Sequence, residues 1–171
     1  MTGRGYRSEP PRPGVQLLCT KRGHSLGVFL PYVDYVSFHD AQSEALSDES
    51  AVLRAHEADR QQAGRSFRLP RLLRYTVPNV VTVVVTGPGG PGELAACARR
   101  PRPRRDWRGG ETHSLCVLDV ERGRLYSQGL EATGTRYGGV TTTSVNPTNR
   151  VTRLLEELAA SFSPGAAPAG V

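Results

Sequence analysis

The sequence predicts an α+β fold: a single small domain with a mixed or antiparallel sheet, hairpins, a central buried strand and a C-terminal amphipathic helix. Three observations carry that expectation. Val80-Val81-Thr82-Val83-Val84-Val85 sets five valines in six positions without alternation, which suits a strand covered on both faces. Val151, Leu154, Leu155, Leu158 and Phe162 fall at i, i+3, i+4, i+7 and i+11, one full apolar stripe of a helix. Near each end, short β-branched segments are separated by turn residues and read as hairpins. At 171 residues the chain has room for one domain with a hydrophobic core and not for two comfortable ones.

Each element follows in order. Residues 1–13 hold three Pro and two Gly and read as a disordered basic arm. Val15-Gln16-Leu17-Leu18-Cys19 is a short strand, Lys21-Arg22-Gly23-His24 a turn, and Leu26 to Phe38 a second strand. Pro31 lacks the N–H a ladder needs, so this second strand is expected at an edge or bulged. From Asp40 to Gln62 the composition turns helix-forming, with Asp40, Ser43 and Ser47 as candidate caps and Gly64 as the stop. Its apolar stripe (Ala45, Leu46, Val52, Leu53) is thin, which predicts a surface helix or two short ones. Phe67 to Tyr75 fits neither period.

The valine strand near residues 80–85 comes next, then a Gly/Pro loop from Gly87 to Gly92 and a short helix from Glu93 to Arg99. Residues 100–111 are a loop by composition. Ser114 to Val120 and Leu125 to Gln128 form a hairpin around Glu121-Arg122-Gly123-Arg124. Val140 to Val145 reads as a Thr-rich strand. In the last helix Pro147 precedes a cap at Thr148 or Asn149, and Pro164-Gly165 ends it. The domain thus runs over 14–163, with an arginine-rich loop at 99–110 and a disordered tail at 164–171.

Composition narrows the function classes. No stretch approaches the 18 consecutive apolar residues of a membrane helix, and the basic N-terminus lacks the apolar run of a secretory signal. Cys19, Cys97 and Cys116 are odd in number and carry no framework spacing. A soluble protein of the reducing cytoplasm, without a membrane partner, is the expectation. The basic residues are 21 Arg and one Lys, and Gly, Pro, Ala and Val are abundant, as a G+C-rich coding sequence would give.

Charge placement is more informative than Arg identity. Residues 99–108 carry six Arg and one Asp, so +5 of the +6 net charge sits in one short loop. Arg99, Arg100, Arg102, Arg104, Arg105 and Arg108 repel one another, and Pro101 and Pro103 keep them extended. An anion condensing there would relieve the repulsion. Arg grips phosphate in a fork, and Trp107 offers a stacking face.

Three other constellations carry weaker chemistry. Gly87, Gly89 and Gly92 satisfy G-x-G-x-x-G after a buried strand, with Asp119 in the next strand where a ribose-binding acid would stand. Pro88 and Pro91 remove two of the amides that would cradle phosphate, and the spacing to Asp119 is long. Cys19 with His24, and His113 with Cys116, are two half-sites that would make a zinc centre if their hairpins met. The segment Cys19 to Gly27 loosely resembles the first knuckle of a zinc ribbon, with Arg22 where the second Cys belongs. On one strand, however, His113 and Cys116 point to opposite faces. Cys116, His113 and Asp119 also supply a nucleophile, base and acid, as many chains this size do.

The expected function is a non-catalytic binding or accessory protein that needs no cofactor. It would contact an anionic partner, nucleic acid or an acidic protein surface, through the arginine loop. Two alternatives stand beside it: a protein assembly or regulatory subunit, and a small Cys/His-dependent or nucleotide-binding enzyme.

Overall fold

A computed structural model describes residues 2–10, 15–24, 31–42, 46–67, 76–106, 111–130, 136–137, 140–141 and 147–163. In chain order the elements are a 3-10 turn (Thr2–Arg4), β1 (Arg7–Glu9), β2 (Leu17–His24), β3 (Pro31–Asp40), α1 (Glu49–Arg65), β4 (Val77–Thr86) and α2 (Gly92–Arg99). There follow β5 (Arg105–Asp106), β6 (Glu111–Asp119), β7 (Arg124–Ser127), β8 (Arg136–Tyr137), β9 (Val140–Thr141) and α3 (Pro147–Ala160).

The sheet is mixed, in the order β1-β2-β3-β4-β6, with β5 and β7 pairing different stretches of β6. β3, β4 and β6 are parallel neighbours, and α1 and α2 supply the two crossovers that parallel pairing requires. The outer strands β1, β2, β5 and β7 are antiparallel to the neighbours nearer the centre, or to each other. β8 and β9 form a separate small hairpin. The fold is therefore α+β with a mixed sheet and a C-terminal helix. No helix among the described residues is long and apolar enough to cross a membrane.

Period-2 geometry sorts the side chains of each strand onto two faces. On one face Val36, Phe38, Val81, Val83, Cys116 and Leu118 pack against Val151, Leu155 and Ala159 of α3. On the other, Val84, Leu115 and Val117 meet Val52 of α1 and Leu94, Cys97 and Ala98 of α2. β4 lies between both helix layers, which is why its valines do not alternate with polar residues. Val80, Val81, Val83 and Val84 are all fully buried. Leu155 is fully buried as well and contributes roughly 2–3 kcal/mol to the α3 contact.

Several local expectations change. Part of the N-terminal arm is built into the sheet: β1 pairs Leu18 to Thr20, and Tyr6 is buried. An arm rich in Pro and Gly still docks when one aromatic finds a slot beneath it. Residues 11–14 and the tail at 164–171 lie outside the described residues, as do 68–75 and 142–146. Pro31 opens β3, where its missing N–H is harmless, and β3 sits inside the sheet between β2 and β4.

α1 is one helix of 17 residues that runs through Gly64, and its cap is Asp48, which accepts from the Ala51 N–H. Thr148 and Asn149 lie inside the first turn of α3 and are buried, so neither is the cap residue before it. The inner stripe of α3 is Val151, Leu155 and Ala159, while Phe162 is 45% exposed beyond the helix end.

Candidate functional site

The arginine segment begins at the C-terminus of α2, and its Arg105 and Asp106 pair with β6. Arg99 is exposed, with its guanidinium 4.8 Å from the centre of the Tyr126 ring. Arg100 donates to Glu49 at 2.6 Å, and Arg102 reaches the other oxygen of the same carboxylate at 3.4 Å. Arg102 also approaches the Cys97 sulfur at 3.2 Å. One carboxylate at the start of α1 thus offsets part of the repulsion within the segment.

Arg104 behaves differently. It is 5% exposed, donates to the Asn149 side chain of α3 at 3.2 Å, and donates to the Gly129 carbonyl. Its own carbonyl accepts the His113 N–H at 2.8 Å. Arg104, expected to face an anion with its neighbours, is instead turned inward and ties the segment to the body. Arg105 enters β5, in register with Thr112. Trp107 and Arg108 lie outside the described residues.

The thiol and imidazole candidates separate. Cys19 and Cys116 face α3. His113 is on the opposite face of β6, where it meets His56 of α1. Two strands, β3 and β4, intervene between Cys19 and Cys116, which spaces them by roughly 14 Å. His24 closes β2 opposite Pro31. The described residues contain no cluster of three or more metal-ligating side chains.

Burial pushes the Cys116 thiol up to about 11, so the thiolate needed for attack is suppressed. Asp119 shares the His113 face six residues on, roughly 20 Å along the strand. Its carboxylate accepts from the Glu121 and Arg122 amides and from the Arg122 guanidinium, which closes the β6–β7 turn.

The glycine loop does join β4 to α2 inside a β-α-β unit, and Asp119 ends the neighbouring strand in register with Thr86. Gly89, Gly90 and Gly92 have positive φ; at Gly90 a Cβ would collide with the Arg122 guanidinium. The Arg122 guanidinium thus lies against the loop, and the acid expected to face a ribose is engaged in the β6–β7 turn.

Sequence reasoning missed two buried polar networks, one on each face. On the α3 face, Lys21, Asp34, Asn79 and Thr112 stand in register across four strands. Asp34 is fully buried; it accepts from the Tyr6 hydroxyl at 2.7 Å, the Asn79 amide at 2.8 Å and the Arg150 guanidinium at 2.5 Å. Thr112 in turn donates to Asn79 at 3.0 Å. Arg150 lies over the Tyr32 ring at 4.1 Å and donates to its hydroxyl. Burial raises the Asp34 carboxyl to about 6, although Asn79, Tyr6 and Lys21 all favour its ionised form. Burial, with Asp34 beside it, also pushes the Tyr6 phenol up.

On the α1 face, the inward stripe of the helix is Val52, His56, Asp59 and Ala63, two of them polar. Asp59 accepts from His39 at 2.9 Å and from Thr82 at 2.7 Å. His56 meets Thr82 through Nδ1 at 2.8 Å and the His113 Nδ1 through Nε2 at 3.2 Å. At the outer end, Arg60 bridges Glu111 at 2.5 Å and Glu57 at 2.9 Å. The legible signal was the spacing of 52, 56, 59 and 63, which is an inner stripe whatever residues occupy it.

With this geometry set out, comparison with protein-family models, curated proteins and solved structures returns no match.

Proposed function

We propose that this chain is a non-catalytic binding or accessory protein that grips an anionic partner through the arginine segment 99–108, most concretely the phosphate backbone of a nucleic acid. The observation that carries the reading is the concentration of +5 of the +6 net charge in those ten residues. Two features support it. The exposed Arg99 and Arg100 stand on a segment tethered by Arg104 and β5, so the charges are presented from a fixed base. Exposed guanidinium groups that neutralise phosphates release the cations condensed on a nucleic acid.

The test replaces Arg99, Arg100, Arg102, Arg105 and Arg108 with Gln and keeps Arg104. Binding to mixed-sequence DNA and RNA is followed by fluorescence anisotropy at several salt concentrations. Five phosphate contacts give a log–log salt slope of about −3.5 to −4.5 in the parent protein. The variant is expected to lose most of that slope while its melting temperature stays nearly unchanged. Equal affinity in parent and variant sinks the proposal. Arg104→Ala, by contrast, should lower stability by about 2–3 kcal/mol, because Asn149 and the Gly129 carbonyl lose a charged donor.

A second reading, a protein assembly or regulatory subunit, is favoured by the sheet edge. Among the described residues, β1 covers Leu18 to Thr20 of the longer β2. Such an edge can accept a partner strand. A monodisperse oligomer, or a co-purifying protein insensitive to salt, would support it.

A further inference from the structure

We propose that the buried chain His113–His56–Thr82–Asp59–His39 is a pH-sensitive latch, holding α1 on the sheet while His56 is neutral and releasing it when His56 takes a proton. The hydrogen-bond directions follow from counting protons. Thr82 has one hydroxyl hydrogen, and it goes to Asp59 at 2.7 Å. The Thr82 oxygen can then only accept from His56, so Nδ1 of His56 carries its hydrogen. Nε2 of a neutral His56 is left as an acceptor, and it faces Nδ1 of His113 at 3.2 Å. Every donor in this part of the chain points toward Asp59.

A second proton on His56 makes Nε2 a donor, and its bond to His113 then survives only if His113 moves its own hydrogen off Nδ1. In either arrangement a charge would be buried under the helix. The groups facing His56 oppose that charge or are already engaged. Asp59 and Arg60 come from α1 itself, and Asp59 is held by Thr82 and by His39 of β3. From β6 come His113 and Glu111, the latter holding Arg60 at 2.5 Å. Arg102 approaches from the segment after α2, adding a second cation.

Burial first, then His113, Arg60, Arg102 and His39, hold His56 down to about 3, against 6.5 for an ordinary histidine. Once α1 lifts, His56 returns to the ordinary range, so the open form takes the proton first. A depressed histidine leaves the latch fully closed above about 6.5 and weakens it as pH falls toward about 3. Over that window the opening equilibrium grows about tenfold per pH unit for the one proton. Since α1 carries two of the linked side chains, opening is expected at that helix, while α3 on the other face stays closed.

Hydrogen exchange on the full chain tests this, each amide corrected for its intrinsic chemical rate. Between pH 6.5 and 5, protection within α1 should fall roughly fifteenfold while protection in α3 holds. In His56→Gln the α1 slope should vanish. PH-independent protection of α1, an equal fall across α3, or an unchanged slope in His56→Gln would each overturn the latch. If His56→Gln does not fold, NMR titration of the native imidazoles decides: a His56 silent between pH 7.5 and 5 supports the latch. A midpoint near 6.5 overturns it.

Discussion

On the α3 face, Asp34 gathers donors from three separate elements, the N-terminal segment, β4 and α3. On the α1 face, Asp59 receives His39 and Thr82, and the network then passes outward through two imidazoles. Both centres are carboxylates buried between a helix and the sheet, yet they differ in where the positive charge sits. Asp34 has the Arg150 guanidinium at 2.5 Å, with about a third of that side chain exposed. The α1 chain has neutral His56 at its middle, with Arg60 and Arg102 near enough to disfavour a proton there.

Their response to acid is therefore opposite in sign. His56 is depressed, so its contribution is complete above 6.5 and is lost as pH falls. Asp34 is raised, so its contribution is complete below its ordinary 3.8 and is lost as pH rises through about 6. Between those limits acid loosens one face and tightens the other. A single stability-against-pH curve would partly conceal both, which is why local probes are needed.

The comparison breaks most sharply at the carboxylates. Asp34→Ala leaves Arg150, Tyr6 and Asn79 without their shared acceptor and should cost about 3–5 kcal/mol by urea denaturation. No measurable loss would show that these donors do not depend on their shared acceptor. Arg150→Gln sharpens the difference in charge. Without the guanidinium the Asp34 carboxyl rises further, and at pH 8 it is stranded in ionised form. The destabilisation should exceed that at pH 5 by about 1–2 kcal/mol, whereas an equal loss at both would remove charge from the account. The smallest effect belongs to Thr82→Val, which keeps the shape and deletes the hydroxyl. Its expected loss is about 1–2 kcal/mol, with the His56 Nδ1 hydrogen left without its acceptor.

Much of the fold was legible because its signals are local. The valine run shows burial on both faces wherever its strand sits, and Val151 to Leu158 shows a helix face wherever α3 docks. The Glu121 to Arg124 turn and its hairpin needed only neighbouring residues. The arginine segment was legible as a charge run, but Arg104 was not separable from its neighbours. Its burial depends on Asn149 and Gly129, which are distant in sequence. Cys19, His24, His113 and Cys116 looked like two half-sites; strand order and facing keep the thiols apart and set His113 on the other face.

The sequence by itself determined the class of fold, the buried central strand, the C-terminal helix and the place of the net charge, because periodicity and composition act over a few residues. Only the tertiary structure decided which polar residues are inside. The row from Lys21 to Thr112 exists because four strands align in one register, and His56 and Asp59 became interior because α1 turned that face to β4. Burying a carboxylate or an imidazole is unfavourable unless its partners arrive with it. Those partners come from remote parts of the chain, so no local window contains them.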